Sequence, residues 1–112
     1  MSAAKKLADR ACVPCVGGQV PLKGDALGRL ARQLDGDWDV VGEHHLLRRF
    51  RFKDFAEALA FVNEVGALAE EQGHHPDIHL AWGKVVLTVY THKIDGLSES
   101  DFVLAAKIEA LR

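Results

Sequence analysis

Five residues in the second half of the sequence have types and spacings suited to proton transfer: Glu70, His74, His75, His92 and Asp101. Imidazoles titrate near neutral pH, with an unperturbed value of about 6.5, so two of them can divide acid and base roles in one elimination. A carboxylate beside an imidazole can orient the ring and favour its proton-carrying form. No serine, cysteine or lysine in this segment is arranged as an obvious nucleophile. Proton transfer therefore fits better than covalent catalysis. Taken singly, His74 and His75 are ordinary exposed loop residues; their weight comes from convergence with the others.

That convergence depends on the elements around them. Asp54 to Gln72 has the periodicity of a helix, with Phe55, Leu59, Val62, Val65 and Leu68 forming a stripe that could cover a sheet. Gly73 stands where a left-handed cap belongs, and Pro76 forbids continuation soon afterwards. Ile78 to Trp82 and Val85 to Thr91 alternate as two strands of a hairpin around Gly83-Lys84, where a leading glycine suits a type II′ turn. With that turn, Trp82 faces Val85, and the ladder extends to place His75 opposite His92, with β-carbons about 5 Å apart. His74 lies at the same end, and Glu70 is one helical turn upstream.

The remaining elements complete an α+β pattern. A first helix is expected within Gly24 to Leu34, with Leu27, Leu30, Ala31 and Leu34 facing the core. Asp35-Gly36-Asp37 breaks it, and Trp38 to Val41 and Leu46 to Phe52 read as strands joined around Gly42 to His45. A last helix starts near Ser98 and turns Leu104, Ile108 and Leu111 inward. The order α-β-β-α-β-β-α is packed most economically as a four-stranded antiparallel sheet with three helices on one face. Residues 1–20 form an arm before this domain of residues 21–112.

Several other residues have plain structural readings. His79 alternates with Ile78 and Leu80 and points off the core face, whereas His44-His45 falls in a turn facing solvent. Ser98-x-x-Asp101 is a capping-box pattern, a structural role that can coexist with a chemical one. Trp38 and Trp82 suit core or rim packing, and Arg48, Arg49 and Arg51 suit a solvated face. Cys12-x-x-Cys15 has neither a second ligand pair nor the strand-to-helix context of a redox motif, and Gly17-Gly18 follows it; a structural or incidental pair is expected.

Composition narrows the function classes. The 112 residues fit one domain that needs no metal or disulfide to fold, and a net charge of -2 without long runs of one sign offers no footprint for nucleic acid. No apolar run approaches the ~20 residues of a membrane span, and the stretch Met1 to Arg10 lacks the apolar centre of a secretory signal. A cytoplasmic location is expected.

Glu70-x-x-x-His74-His75-Pro76, Trp82, Thr91-His92-Lys93 and Leu97-Ser98-Glu99-x-Asp101 together resemble the core pattern of the pterin-4a-carbinolamine dehydratases. Trp38 and Leu46-x-Arg48-x-Phe50-x-Phe52-x-Asp54-Phe55 extend the likeness, which runs from Pro21 to the C-terminus. The Cys-x-x-Cys followed by Gly-Gly is also similar to many bacterial members. The resemblance implies dehydration of 4a-hydroxytetrahydropterin, the spent cofactor of aromatic amino acid hydroxylases, to quinonoid dihydropterin. It makes His74 and His92 the acid–base candidates, His75 a catalytic and substrate-holding residue, and Trp82 a substrate-binding one. It gives Glu70 a tuning role and has Asp101 support His92. It implies no metal or other cofactor, a pterin as the small-molecule partner, and a homodimer or homotetramer functionally linked to a hydroxylase.

Two readings of other classes stand beside it. One is a binding module that docks on another protein, as some members of that family do. The other is a metal site of His74, His75, His79 and His92, although Glu70 with His74 is not the His-x-x-x-His spacing of a helical zinc site.

Overall fold

The computed structural model describes residues 6–13 and 19–112. Its helices are α1 (Gly24–Ala31), α2 (Phe55–Gln72) and α3 (Glu99–Glu109), and its strands are β1 (Asp39–Val41), β2 (His45–Arg51), β3 (Asp77–Ala81) and β4 (Lys84–Val89). The expected order is present, with two additional 3₁₀ turns at Leu7–Asp9 and His92–Ile94. The strands form one antiparallel sheet in the order β1-β2-β4-β3, so β1 and β3 are its edges.

One face of the sheet is covered. Leu46 and Phe50 of β2 lie on it with Val85, Leu87 and Val89 of β4, all buried against helical residues such as Phe61, Val65, Phe102 and Ile108. The α2 stripe is partly rotated from the expected one: Val65 is buried and Val62 and Leu68 pack against the core as expected. Ala58, Phe61, Val65 and Ala69 face the core, while Phe55 and Leu59 remain 43% and 39% exposed. Small Ala58 and Ala69 bring the helix close to the sheet and leave the larger pair outside.

Arg48 also departs from expectation. Its register opposite Leu87 puts it on the covered face, where it pairs with Glu109 (Nε–Oε1 3.1 Å, Nη2–Oε2 3.1 Å) and rests 4.2 Å above the Phe50 ring. Trp38 Nε1 donates to the same carboxylate at 2.9 Å. The ion pair ties β2 to the end of α3, and only Arg49 and Arg51 of the expected arginine face are exposed.

The β3–β4 turn corrects the hairpin register. Ala81 pairs with Lys84, so the central residues are Trp82 and Gly83, and Val85 faces Leu80 rather than Trp82. Neither central residue takes the left-handed conformation of a type II′ turn. Gly83 serves a close approach instead: a β-carbon there would lie 2.9 Å from the Phe52 carbonyl oxygen, and Phe52 N donates to Gly83 O at 2.9 Å. The shift of two residues keeps every side chain on its expected face, so alternation alone could not detect it.

The described N-terminal residues 6–13 pack against the helices. Leu7 is buried, Lys107 Nζ donates to Ala8 O (2.9 Å), and Cys12 N donates to Gln72 Oε1 (3.0 Å). Ser100 Oγ accepts from Val13 N (2.9 Å) and donates to Val13 O (3.1 Å), fastening the chain over the start of α3. Cys15 lies outside the described residues.

Candidate active site

Four chain segments meet where α2 ends, β3 begins, β4 ends and α3 begins. Asp54 caps the N-terminus of α2 by accepting from Glu57 N (2.9 Å), and Gly73 closes its C-terminus with a left-handed φ of 64°. His74 N still donates to Ala69 O at 3.2 Å, so this imidazole leaves the helix in a fixed direction.

His74 and Asp101 form the centre of the corner. Asp101 is fully buried at the first turn of α3, and its Oδ1 lies 2.6 Å from His74 Nε2. Its other oxygen accepts from Ser98 N (2.8 Å), completing a capping-box contact, and from Thr91 Oγ1 (2.8 Å). Ser98 Oγ lies 2.9 Å from Thr91 Oγ1, so the buried polar group is satisfied on every side. Asp101 therefore supports His74, not His92 as expected from the sequence. One carboxylate joins the helix start, the end of β4 and the imidazole.

The other histidines are more open. The His74 side chain is 15% exposed, against 59% for both His75 and His92. His75 Nε2 lies 2.5 Å from Glu70 Oε2, as a carboxylate one turn upstream allows. His92 is not in a strand. It opens the 3₁₀ turn after β4, and the first pairs of the hairpin are Asp77↔Thr88 and Ile78↔Leu87, so the expected His75–His92 pair does not form. Instead, His92 Nε2 stands 4.0 Å from Asp77 Oδ1. Thr91 nonetheless links the chain beside His92 to Asp101 and hence to His74.

Trp82 is not brought to this corner. It sits 68% exposed in the turn at the opposite end of the hairpin, five residues and roughly 17 Å of extended strand from Asp77. Sequence reasoning missed Asp77, Tyr90 and Asp95. Tyr90 lies 4.2 Å from the His92 ring, and Asp95 Oδ1 is 2.7 Å from His44 Nε2. The only sequence signal for them was proximity to Pro76 and His92. His44 occupies the β1–β2 turn as expected, but His45 opens β2. Burial, and then the charge of His44, push the His45 imidazole below its usual value. Among the described residues no three His, Cys, Asp or Glu side chains are grouped to hold a metal ion.

A buried carboxylate aimed at one imidazole, with two further imidazoles on an open rim, suits proton transfer on a small molecule. The sequence profile described as Pterin 4 alpha carbinolamine dehydratase matches residues 20–111. The chain belongs to this family. It is 66% identical over 106 residues to a protein of Rubrobacter xylanophilus that carries the provisional name pterin-4-alpha-carbinolamine dehydratase, covering 95% of this chain and 98% of that protein. It is 55% identical to one of the same provisional name from Alkaliphilus metalliredigens, covering 92% and 93%. Among solved structures, the transcriptional coactivator/pterin dehydratase of Brucella melitensis is similar, with a TM-score of 0.74, 35% identity and coverage of 81% of this chain and 97% of that one. A pterin dehydratase-like protein identified as a RuBisCO assembly factor in the alpha-carboxysome has a TM-score of 0.59 at 30% identity, covering 69% and 90%. The pterin-4a-carbinolamine dehydratase resemblance noted from the motifs is thus family membership. No helix among the described residues is long and apolar enough to cross a membrane.

Proposed function

We propose that this protein is a hydro-lyase that dehydrates 4a-hydroxytetrahydropterin to quinonoid dihydropterin and water. The observation that carries the reading is the His74–Asp101 contact of 2.6 Å, made by a carboxylate that is fully buried and anchored by two further donors. An ionised carboxylate only accepts, so it fixes the His74 proton on Nε2 and leaves Nδ1 to exchange a proton with substrate. The departing 4a hydroxyl takes a proton and leaves as water, while N5 gives up its proton; the carbon–oxygen bond breaks as the 4a-carbon–N5 double bond forms. His74 and His92 divide these two transfers. His75, with Glu70 on its Nε2, holds the pterin and assists.

The test is dehydration of synthetic 4a-hydroxytetrahydropterin with the spontaneous rate subtracted. Acceleration that saturates with substrate is expected; a rate equal to the uncatalysed one refutes the reading. The biological setting proposed with it is cytoplasmic recycling of the tetrahydropterin consumed by an aromatic amino acid hydroxylase. The names of the Brucella and carboxysome proteins attach binding roles to those proteins, whereas the polar corner here favours chemistry.

The N-terminal cysteines are outside this chemistry. Burial pushes the Cys12 thiol up to about 11, so it stays protonated and a weak nucleophile or ligand at neutral pH. Its Sγ lies 3.5 Å from Ser100 O. Cys12→Ser with Cys15→Ser should leave the dehydration rate near that of the unaltered protein, as initial rates would measure.

Self-association belongs to the same proposal. Phe55 and Leu59 are exposed on α2, Ile78 is 38% exposed on the edge strand β3, and unpaired edges invite pairing with a second copy. A homodimer or homotetramer is expected in sedimentation velocity at micromolar concentration; a monomer there would remove the assembly from the proposal.

A further inference from the structure

His92 has an orientation problem that His74 and His75 do not share. Their Nε2 atoms are held by carboxylates at 2.6 and 2.5 Å, whereas the nearest carboxylate oxygen to His92 is 4.0 Å away, beyond a hydrogen bond. Its neighbour is a ring. The Tyr90 ring centroid lies 4.2 Å from that of His92, inclined at 45°, and the His44 ring lies on Tyr90 at 4.7 Å. The three rings form a continuous row.

The row is fastened at its far end. His44 Nε2 reaches Asp95 Oδ1 (2.7 Å), and His44 Nδ1 meets His45 Nδ1 at 3.0 Å, so one ring donates to the other. Asp95 belongs to the loop that carries His92. This loop is closed by Thr91 N to Gly96 O (2.8 Å), and Asp95 N donates to His92 O (3.2 Å). Asp95 has a left-handed φ of 50°, which is disfavoured for a residue with a β-carbon and persists where surrounding contacts hold it. Glu43, immediately before His44, is also left-handed (φ 55°) and accepts from Gly24 N at 3.0 Å, so the opposing turn is anchored to α1.

We propose that Tyr90 and His44 are positioning residues for His92: the Tyr90 ring sets the plane of the imidazole, and the His44–Asp95 pair fixes the loop beneath it. The inference rests on the dehydratase reading for its kinetic consequence only. The arrangement itself can be tested without turnover.

Proton NMR of the imidazole resonances reads the stack directly, since a ring 4.2 Å away shifts the His92 ring protons. Tyr90→Ala should remove that shift and lower kcat by about three- to tenfold, the range of one aromatic contact, with little change in KM. Tyr90→Phe keeps the ring and should restore both. Because Tyr90 is half-buried, His44→Ala on the turn supplies a second variant less exposed to folding failure; it should move the His92 resonances in the same direction and lower kcat to a smaller extent. His92 resonances unmoved in folded Tyr90→Ala or His44→Ala would overturn the inference. A protein that shows the ring shifts but no dehydration would refute the dehydratase reading and leave the positioning inference standing.

Discussion

Replacing His74 with alanine should lower kcat by about 10²–10⁴-fold, the usual range for loss of a general acid or base. The expectation follows from the contrast among the three imidazoles. His74 is the least exposed and alone has a fully buried carboxylate behind it, so it is the most firmly oriented. His92→Ala should also act mainly on kcat. His75→Ala, whose partner Glu70 lies on the surface, should show a larger share of its loss in KM. His79→Ala, an exposed strand residue outside the corner, should be close to the unaltered protein. Steady-state kinetics on 4a-hydroxytetrahydropterin, with folding checked by circular dichroism, measure all four. Near-normal kcat in a folded His74→Ala protein would end the proposed assignment.

Asp101 should give the second large effect, and it should separate into two parts. Asp101→Ala strips the buried partner from Ser98 N, the Thr91 hydroxyl and His74 Nε2 together. An unsatisfied buried donor costs about 1–3 kcal/mol, so a loss of roughly 3–5 kcal/mol is expected, a large share of a small domain's stability. Asp101→Asn keeps the shape. If its amide oxygen serves Ser98 and Thr91, its NH₂ faces His74 and forces the proton from Nε2 to Nδ1. The fold should then survive while kcat falls about 10²-fold or more, as in other Asp–His pairs set in the wrong tautomer. Urea denaturation and kcat measured on both variants distinguish the parts. Asp101→Asn with an unchanged kcat would mean that His74 does not use this carboxylate.

Much of the fold was legible because local and tertiary signals agree. Gly73 and Ser98 mark helix ends by capping, and the caps form where the residues stand. The alternation of Val85, Leu87 and Val89 marks the face of β4 correctly. What was not legible depends on contacts distant in sequence. Gly83 is needed by the carbonyl of Phe52, a reason invisible within the hairpin, and that contact moves the turn by one residue. The alternation of β2 puts Arg48 on the face of Leu46 and Phe50, but the partner that receives it there, Glu109, is 61 residues away along the chain and also accepts from Trp38. Of the residues singled out from the sequence, Glu70, His74, His75, His92 and Asp101 stand around the corner and Trp82 does not. Their pairing was not legible, because the register that would have placed His75 against His92 is displaced and Thr91, not His92, reaches Asp101.

The two duties of Asp101 bear on how relatives of this chain should be read. A relative without the proposed reaction would still need a carboxylate at this position to start α3 and to hold Thr91, so its retention records the demands of folding. His74 has no such structural duty: among the described residues, Asp101 is the one hydrogen-bond partner of its ring. On the proposed assignment, a member that keeps the carboxylate and lacks the imidazole is expected to fold and not to dehydrate the pterin.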